Sequence, residues 1–258
     1  MTMAPQTKQH IEAVAGHIRD SSRILFITGA GISADSGLPT YRGVGGLYND
    51  NETEDGIPIE QALAGAVLES RPEVTWKYLM RIEEAGRNAT YNAAHQILAR
   101  IEDNKPDTWI FTQNVDGFHS SAGSRNVVEL HGNMHHLRCM DCTFHEKVID
   151  YQHLQTIPPR CPQCTNGILR PGVVFFGEML PMEAIMTMRE QERLGFDLVI
   201  SIGTSNLFPY ISEPVIKARR QGKKTAEINP AHTSLSHLVD HHIPLGAAEA
   251  MEAIWEAL

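Results

Sequence analysis

No stretch of this chain approaches the roughly 18 consecutive apolar residues of a membrane-spanning helix, and residues 1–10 hold no apolar core of the kind a secretory signal requires. Both absences lead to the expectation of an intracellular, cytoplasmic chain that does not enter a membrane. Positive charge is scarce as well. There are 22 Lys and Arg against 31 Asp and Glu, a formal net charge of -9, so a non-specific grip on nucleic acid or an anionic surface is disfavoured. A basic segment of a partner is tolerated better. Internal repeats at solenoid periods and low-complexity tracts are missing, which excludes arrays and linkers. With 258 residues the chain can bury one large core, with room for a small satellite.

Cysteine is limited to four residues, all in one pattern: Cys139-x-x-Cys142, then 18 intervening residues, then Cys161-x-x-Cys164. Without a secretion signal, two such pairs imply a metal site rather than disulfides. Each pair can grip one ion from a tight turn, and together they complete the tetrahedron of structural zinc. Four sulfurs leave no open position for substrate. A single structural zinc ion is therefore expected, and His135, His136, His145 and His153 are not needed as ligands. Between residues 131 and 170 there are four Lys or Arg against three Asp or Glu, which is no electrostatic footprint for nucleic acid.

Apolar periodicity organises the rest. Residues 7–20 have helical spacing, with Ile11, Val14, Ala15 and Ile18 on one face. Ile24-Leu25-Phe26-Ile27-Thr28 reads as a buried strand that runs into Gly29-Ala30-Gly31-Ile32-Ser33-Ala34 and a helix start. Strand, glycine turn and helix form the mechanical unit that binds a pyrophosphate, since glycines admit the anion to backbone N–H groups. Alone, the same residues also read as an ordinary tight turn. Residues 43–70 carry no Lys or Arg and several acids, and are expected to form a mobile surface loop. Helices are expected over 72–85, over 181–194, over 211–220 and over 246–258, with Asn92 capping another that carries His95 as a packing residue. Residues 172–178 read as a β-rich run, and 196–202 and 224–228 as strands. Alternating strands and helices predict an α/β fold, a doubly wound parallel sheet.

The stretch Phe111-Thr112-Gln113-Asn114-Val115-Asp116-Gly117 is an apolar strand ending in polar side chains, and a second strand over 127–130 ends in His131. Open α/β sheets place ligand-binding groups at this carboxyl edge. Taken alone, Asn114 and Asp116 also suit caps of a following helix.

The ordered set Gly29-Ala30-Gly31-Ile32-Ser33, Tyr41-Arg42, Gln113-Asn114-Val115-Asp116, Leu130-His131-Gly132, the paired cysteines, Phe175-Phe176-Gly177-Glu178, Gly203-Thr204-Ser205 and Ile228-Asn229-Pro230 resembles the sirtuins, NAD-dependent protein lysine deacylases of bacterial type. That resemblance implies a Rossmann-like NAD-binding unit over 1–43, 86–136 and 171–258. It further implies a cofactor loop and helical part of a small domain over 44–85, and an inserted zinc-binding module over 137–170. It implies NAD and one zinc ion as cofactors, an acyl-lysine protein or peptide as substrate, and nicotinamide, O-acyl-ADP-ribose and free lysine as products. Carried over, Gly29, Ala30, Gly31 and Ser33 lie along the NAD phosphates with Arg42, and Tyr41 replaces the family's usual Phe near the ribose. Gln113 and Asn114 address the ribose, Asp116 the nicotinamide carboxamide, and His131 is the general base. Gly203, Thr204, Ser205, Asn229 and Ala247 line the adenosine half. Val173, Val174, Phe175 and Gly177 offer backbone to an extended peptide.

Two features depart from or extend that pattern. Only Asn206, Leu207 and Phe208 separate Gly203-Thr204-Ser205 from Pro209, a shorter spacing than the family's. Tyr78 and Arg81 match the Tyr-x-x-Arg pair of desuccinylases and demalonylases, although Tyr78 also fits the apolar face of its helix beside Val74 and Ile82. Protein ADP-ribosyl transfer, and a non-enzymatic NAD or ADP-ribose-binding module, are the other readings the residues leave open.

Overall fold

A computed structural model describes residues 3–38, 53–164 and 166–258. Its elements in chain order are α1 (Pro5–Asp20), β1 (Ile24–Thr28), a 3-10 turn (Ala30–Ser36), α2 (Ile59–Ala62), α3 (Gly65–Ser70), α4 (Pro72–Gly86), α5 (Ala93–Asn104), β2 (Thr108–Thr112), α6 (Phe118–Ser121), β3 (Val127–Glu129), β4 (Gly132–Cys139), β5 (His145–Lys147), β6 (Leu169–Val173), α7 (Met182–Leu194), β7 (Leu198–Ile202), α8 (Pro209–Arg220), β8 (Lys224–Ile228), β9 (His241–Ile243) and α9 (Ala247–Glu256).

Six strands form a parallel sheet in the order β3-β2-β1-β7-β8-β9. The chain leaves β1 for β2 on one side and returns to β7 on the other, so the topological switch lies between β1 and β7. Side chains alternate across a strand. Ile24 and Phe26 therefore join one core with α1, α5 and α9, while Leu25 and Ile27 join another with α7 and α8. The longer helices α1, α4, α5, α8 and α9 were legible because one apolar stripe had somewhere to go. On α1 that stripe is Ile11, Val14, Ala15 and Ile18, all buried.

The second unit is an antiparallel sheet, β5-β4-β6, backed by α2, α3 and α4 around Trp76, Tyr151, Leu68 and Leu137. Trp76 Nε1 donates to the carbonyl of Leu169 at 3.0 Å, and the Tyr151 hydroxyl donates to that of Met134 at 2.7 Å. No helix among the described residues is long and apolar enough to cross a membrane.

Four expectations change. The residues after the glycine turn form a 3-10 turn, not the start of an α-helix. The described part of the acidic 43–70 segment contains α2 and α3, because Ala62, Leu63, Val67 and Leu68 are buried against α4. In the run over 172–178, strand geometry ends at Val173, and beyond it Phe176 makes an isolated bridge with Ala64. The antiparallel sheet and β9 carry no apolar run long enough to announce them; β9 is only His241, His242 and Ile243.

Candidate functional site

Three strand ends meet at one edge. Thr28 lies level with Thr112 and with Ile202 in register, so Gly29, Gln113 and Gly203 leave the sheet side by side. Gly31 packs on Gly203 without room for a side chain: a Cβ on Gly31 would stand 2.6 Å from the Cα of Gly203. The Gly31 N–H donates to the Gly203 carbonyl at 2.8 Å. Gly203 itself has φ of 60°, a left-handed conformation that glycine adopts at no steric cost.

This edge ties several of the sequence candidates together. Gln113 Nε2 donates to Thr204 Oγ1 at 2.7 Å, and Asn229 Nδ2 donates to the Thr204 carbonyl at 3.0 Å. Thr204 is buried and Ser205 is exposed. Ala247 is buried at the head of α9, where the next amide, that of Ala248, donates to Asp35 Oδ2 at 3.0 Å. Tyr41 and Arg42 lie outside the described residues.

Ser33 joins Asn114 to Asp116. Asn114 Nδ2 donates to Ser33 Oγ at 3.1 Å, and the Ser33 hydroxyl donates to Asp116 Oδ2 at 2.8 Å. Asp116 Oδ1 accepts from the Phe118 amide at 3.0 Å, so it also steadies the start of α6. Burial pushes the Asp116 carboxyl above the usual carboxylate range, and the bonds from Phe118 and Ser33 oppose that rise. Asn114 Oδ1 is buried with no hydrogen-bond partner among the described residues. A buried acceptor left unpaired costs about 1–3 kcal/mol, so the position suits a ligand that donates. A cavity of about 330 Å³ opens here, lined by Ala30, Ser33, Asn114 and Asp116 from the sheet edge and by Tyr78 and Arg81 from α4.

β3 delivers His131 one strand away. Its carbonyl accepts from the Val174 amide at 2.9 Å, which sets the residues after β6 beside it. Its Nε2 lies 2.8 Å from the hydroxyl of Tyr210. Burial holds the imidazole below its ordinary pKa, and a backbone hydrogen bond with Gln113 works the other way. Sequence reasoning missed Tyr210 and also His135, whose Nε2 lies 3.2 Å from the Asp116 carbonyl. The one signal for Tyr210 was its place beside the shortened spacing before Pro209.

Among the peptide candidates, Val173 is the last strand residue, opposite Gly132. Val174 is held by His131 as above. Phe175 is buried under the Arg170 guanidinium, 4.6 Å from its ring, and Arg170 pairs with Glu178 at 2.6 Å. The Phe176 amide donates to Leu63 and its carbonyl accepts from Gly65, whereas Gly177 is exposed. Tyr78 donates its hydroxyl to Asp55, and Arg81 Nη2 reaches both oxygens of Glu54 at 3.0 and 2.9 Å.

Cys139, Cys142, Cys161 and Cys164 bring four sulfurs within 4.8 Å of one another. Cys139 and Cys164 are 3.5 Å apart and Cys142 and Cys161 3.6 Å, far longer than a disulfide and close to the edge of a sulfur tetrahedron around zinc. The Asp141 amide donates to Cys139 Sγ and the Gln163 amide to Cys161 Sγ, which stabilises thiolate charge. The donor set is positioned to bind one zinc ion.

A glycine-rich turn after β1, polar side chains along the carboxyl edge and a switch point beside them define a Rossmann-type dinucleotide-binding protein. More narrowly, a sequence model of the Sir2 family matches residues 29–208, and the chain belongs to that family. It is 50% identical over 240 residues to the "NAD-dependent protein deacylase 2" of Pseudomonas syringae pv. tomato, covering 92% of this chain and 96% of that one. It is 36% identical over 239 residues to the "NAD-dependent protein deacylase" of Aquifex aeolicus, covering 93% and 96%. Among solved structures, a Sir2 homologue in complex with NAD superposes with a TM-score of 0.82 at 36% identity, covering 95% of this chain and 93% of that one. A Sir2 protein bound to a p53 peptide and NAD+ gives 0.81 at 28% identity, covering 95% and 97%.

Proposed function

We propose that the chain removes acyl groups from lysine side chains of protein or peptide substrates with consumption of NAD, releasing nicotinamide, O-acyl-ADP-ribose and free lysine. The observation that carries this reading is the buried Asn114 Oδ1, without a hydrogen-bond partner among the described residues, beside Ser33 and Asp116 and one strand from His131, whose imidazole burial holds below its ordinary pKa. When bound, NAD supplies the cleavable nicotinamide–ribose bond and the hydroxyls that take over the acyl group.

The residues divide the work. Gly29, Ala30, Gly31 and Ser33 present backbone to the phosphates; Arg42 is assigned to the phosphates and Tyr41 to the nicotinamide ribose by the family resemblance alone, since both lie outside the described residues. Asn114 and Gln113 orient the ribose, and Asp116 receives the carboxamide of nicotinamide. His131 accepts a proton at Nε2 from a ribose hydroxyl, a role open to an imidazole that stays uncharged near neutral pH. Gly203, Thr204, Ser205, Asn229 and Ala247 hold the adenosine half, and residues 173–177 pair with the substrate backbone. The same proposal divides the chain into the NAD-binding unit (1–43, 86–136 and 171–258), the loop and helical part (44–85) and the zinc module (137–170).

A neutral acyl group such as acetyl suits the cavity better than succinyl or malonyl. Tyr78 and Arg81 already serve Asp55 and Glu54, and Lys77 bridges the same two carboxylates, so an added carboxylate would compete with two of the chain's own. A four-thiolate zinc site needs a reducing compartment, which supports a cytoplasmic location.

Mass spectrometry of one lysine peptide, offered in acetyl and succinyl forms with and without NAD, tests the reading. NAD-dependent loss of acetyl with O-acetyl-ADP-ribose formed is expected, faster than loss of succinyl. His131→Ala should keep NAD binding and lose about 10²–10⁴-fold in turnover. ADP-ribose retained on the peptide would instead support transfer, and no loss of either acyl group a binding module.

A further inference from the structure

Pro209 opens α8, and the residue after it supplies a side chain in direct contact with His131. The phenol of Tyr210 lies 2.8 Å from Nε2. A neutral ring that is to accept a proton at Nε2 carries its lone pair there and its own proton at Nδ1, so in that form the phenol is the donor of this contact. Burial pushes the Tyr210 hydroxyl up to about 12, so it keeps the proton it donates. Tyr210 stacks on Phe208 with ring centres 5.4 Å apart and planes at 15°, and both rings meet the imidazole edge-on at 6.1 and 6.2 Å. The first turn of α8 thereby fixes the plane of a side chain that β3 delivers.

We propose that Tyr210 is a positioning residue for His131: its hydroxyl caps the Nε2 lone pair and holds the imidazole plane until a substrate hydroxyl takes the phenol's place. This rests on the reading of His131 as proton acceptor. In the exchange Tyr210 keeps its own proton. The proton of the ribose hydroxyl passes to Nε2, and the electron pair of the broken O–H bond stays on the ribose oxygen.

Diethyl pyrocarbonate acylates an unprotonated imidazole nitrogen, and peptide mass spectrometry reads each histidine separately. Tyr210→Phe keeps the aromatic stack and removes only the hydroxyl. In the zinc-loaded full chain without NAD, His131 of this variant is expected to be labelled about fivefold faster than in the unaltered protein, the factor given by one lost hydrogen bond. Exposed His145 should be labelled at an unchanged rate. Turnover should fall by about fivefold as alignment is lost, with KM for NAD within about twofold. Equal labelling of His131 in the two proteins overturns the proposal, and so does a rise of the same size at His145, because the change is then global. If His131→Ala keeps full turnover, it is the proton-acceptor reading that fails, whatever the labelling shows.

Discussion

Every residue of β1 and β7 is buried, because helices cover both faces of the parallel sheet, whereas β4 and β5 expose part of each strand and rest one face on α4. A sheet with two dry faces is held by its own packing. The antiparallel unit has a smaller core, around Trp76 and Tyr151, and carries the four sulfurs at its far end. A small unit with too little core needs a cross-link, and here a metal is the natural one. The candidate site draws on both: the sheet edge supplies Ser33, Asn114, Asp116 and His131, and the smaller unit supplies Tyr78 and the residues after Val173.

Metal removal should separate the two halves most sharply. Structural zinc contributes on the order of 10 kcal/mol to small units that depend on it, so chelation or Cys161→Ser should unfold the antiparallel unit while the parallel sheet persists. Trp76 reports on that unit, since its indole is fully buried and bonded to Leu169. Its emission should shift to the red while most of the helical circular dichroism remains. Joint loss of both signals would mean that the halves are not independent.

Acid should act in the opposite place. His95 and His119 lie buried between α5 and α6, and burial lowers His95 to about 4 and His119 well below its ordinary value. Because the folded pKa is depressed, the stabilisation is present above the unfolded value near 6.5 and is lost as pH falls through about 4. For His95 that amounts to roughly 3 kcal/mol. His95→Gln should flatten much of the fall in denaturant midpoint between neutral and acidic pH. Glutamine can take over the reciprocal capping bond that His95 makes with Asn92, so a slope as steep as that of the unaltered protein would place the acid sensitivity elsewhere.

The smallest effect compares close approaches in the two halves. Gly31→Ala drives a Cβ against the Gly203 backbone, while Gly65→Ala meets at 2.9 Å the side chain of Glu178, which can turn aside only by loosening its pairing with Arg170 but is not backbone. Overpacking of rigid neighbours costs about 1–3 kcal/mol, so Gly31→Ala should lower the urea midpoint more than Gly65→Ala. Equal shifts would show that the sheet edge yields as easily as the smaller unit.

Much of the large half was readable because its strands and helices satisfy one rule each. β1 and β8 have the bounds their apolar runs predict, and Asn92 caps α5 as its position implies. The antiparallel strands were hidden because half-exposed strands such as His145–Lys147 carry no apolar run. The acidic segment misled because its charge outweighed four buried apolar residues in α2, α3 and their junction. In the site, Asn114, Asp116 and His131 were marked by their positions at strand ends. The coupling of Asn114 to Asp116 through Ser33 was not, since hydrogen bonds between residues some eighty positions apart leave no local trace.

The sequence by itself determined the parallel sheet, the four-cysteine metal site and the identities of the polar residues at strand ends, because each rests on local periodicity or spacing. Only the tertiary structure decided which atoms those residues use. Thr204 and Gln113 bond each other, Tyr78 and Arg81 bond Asp55 and Glu54, and Tyr210 faces His131. Such pairings depend on strand order and helix packing, which bring together side chains that the chain itself keeps far apart.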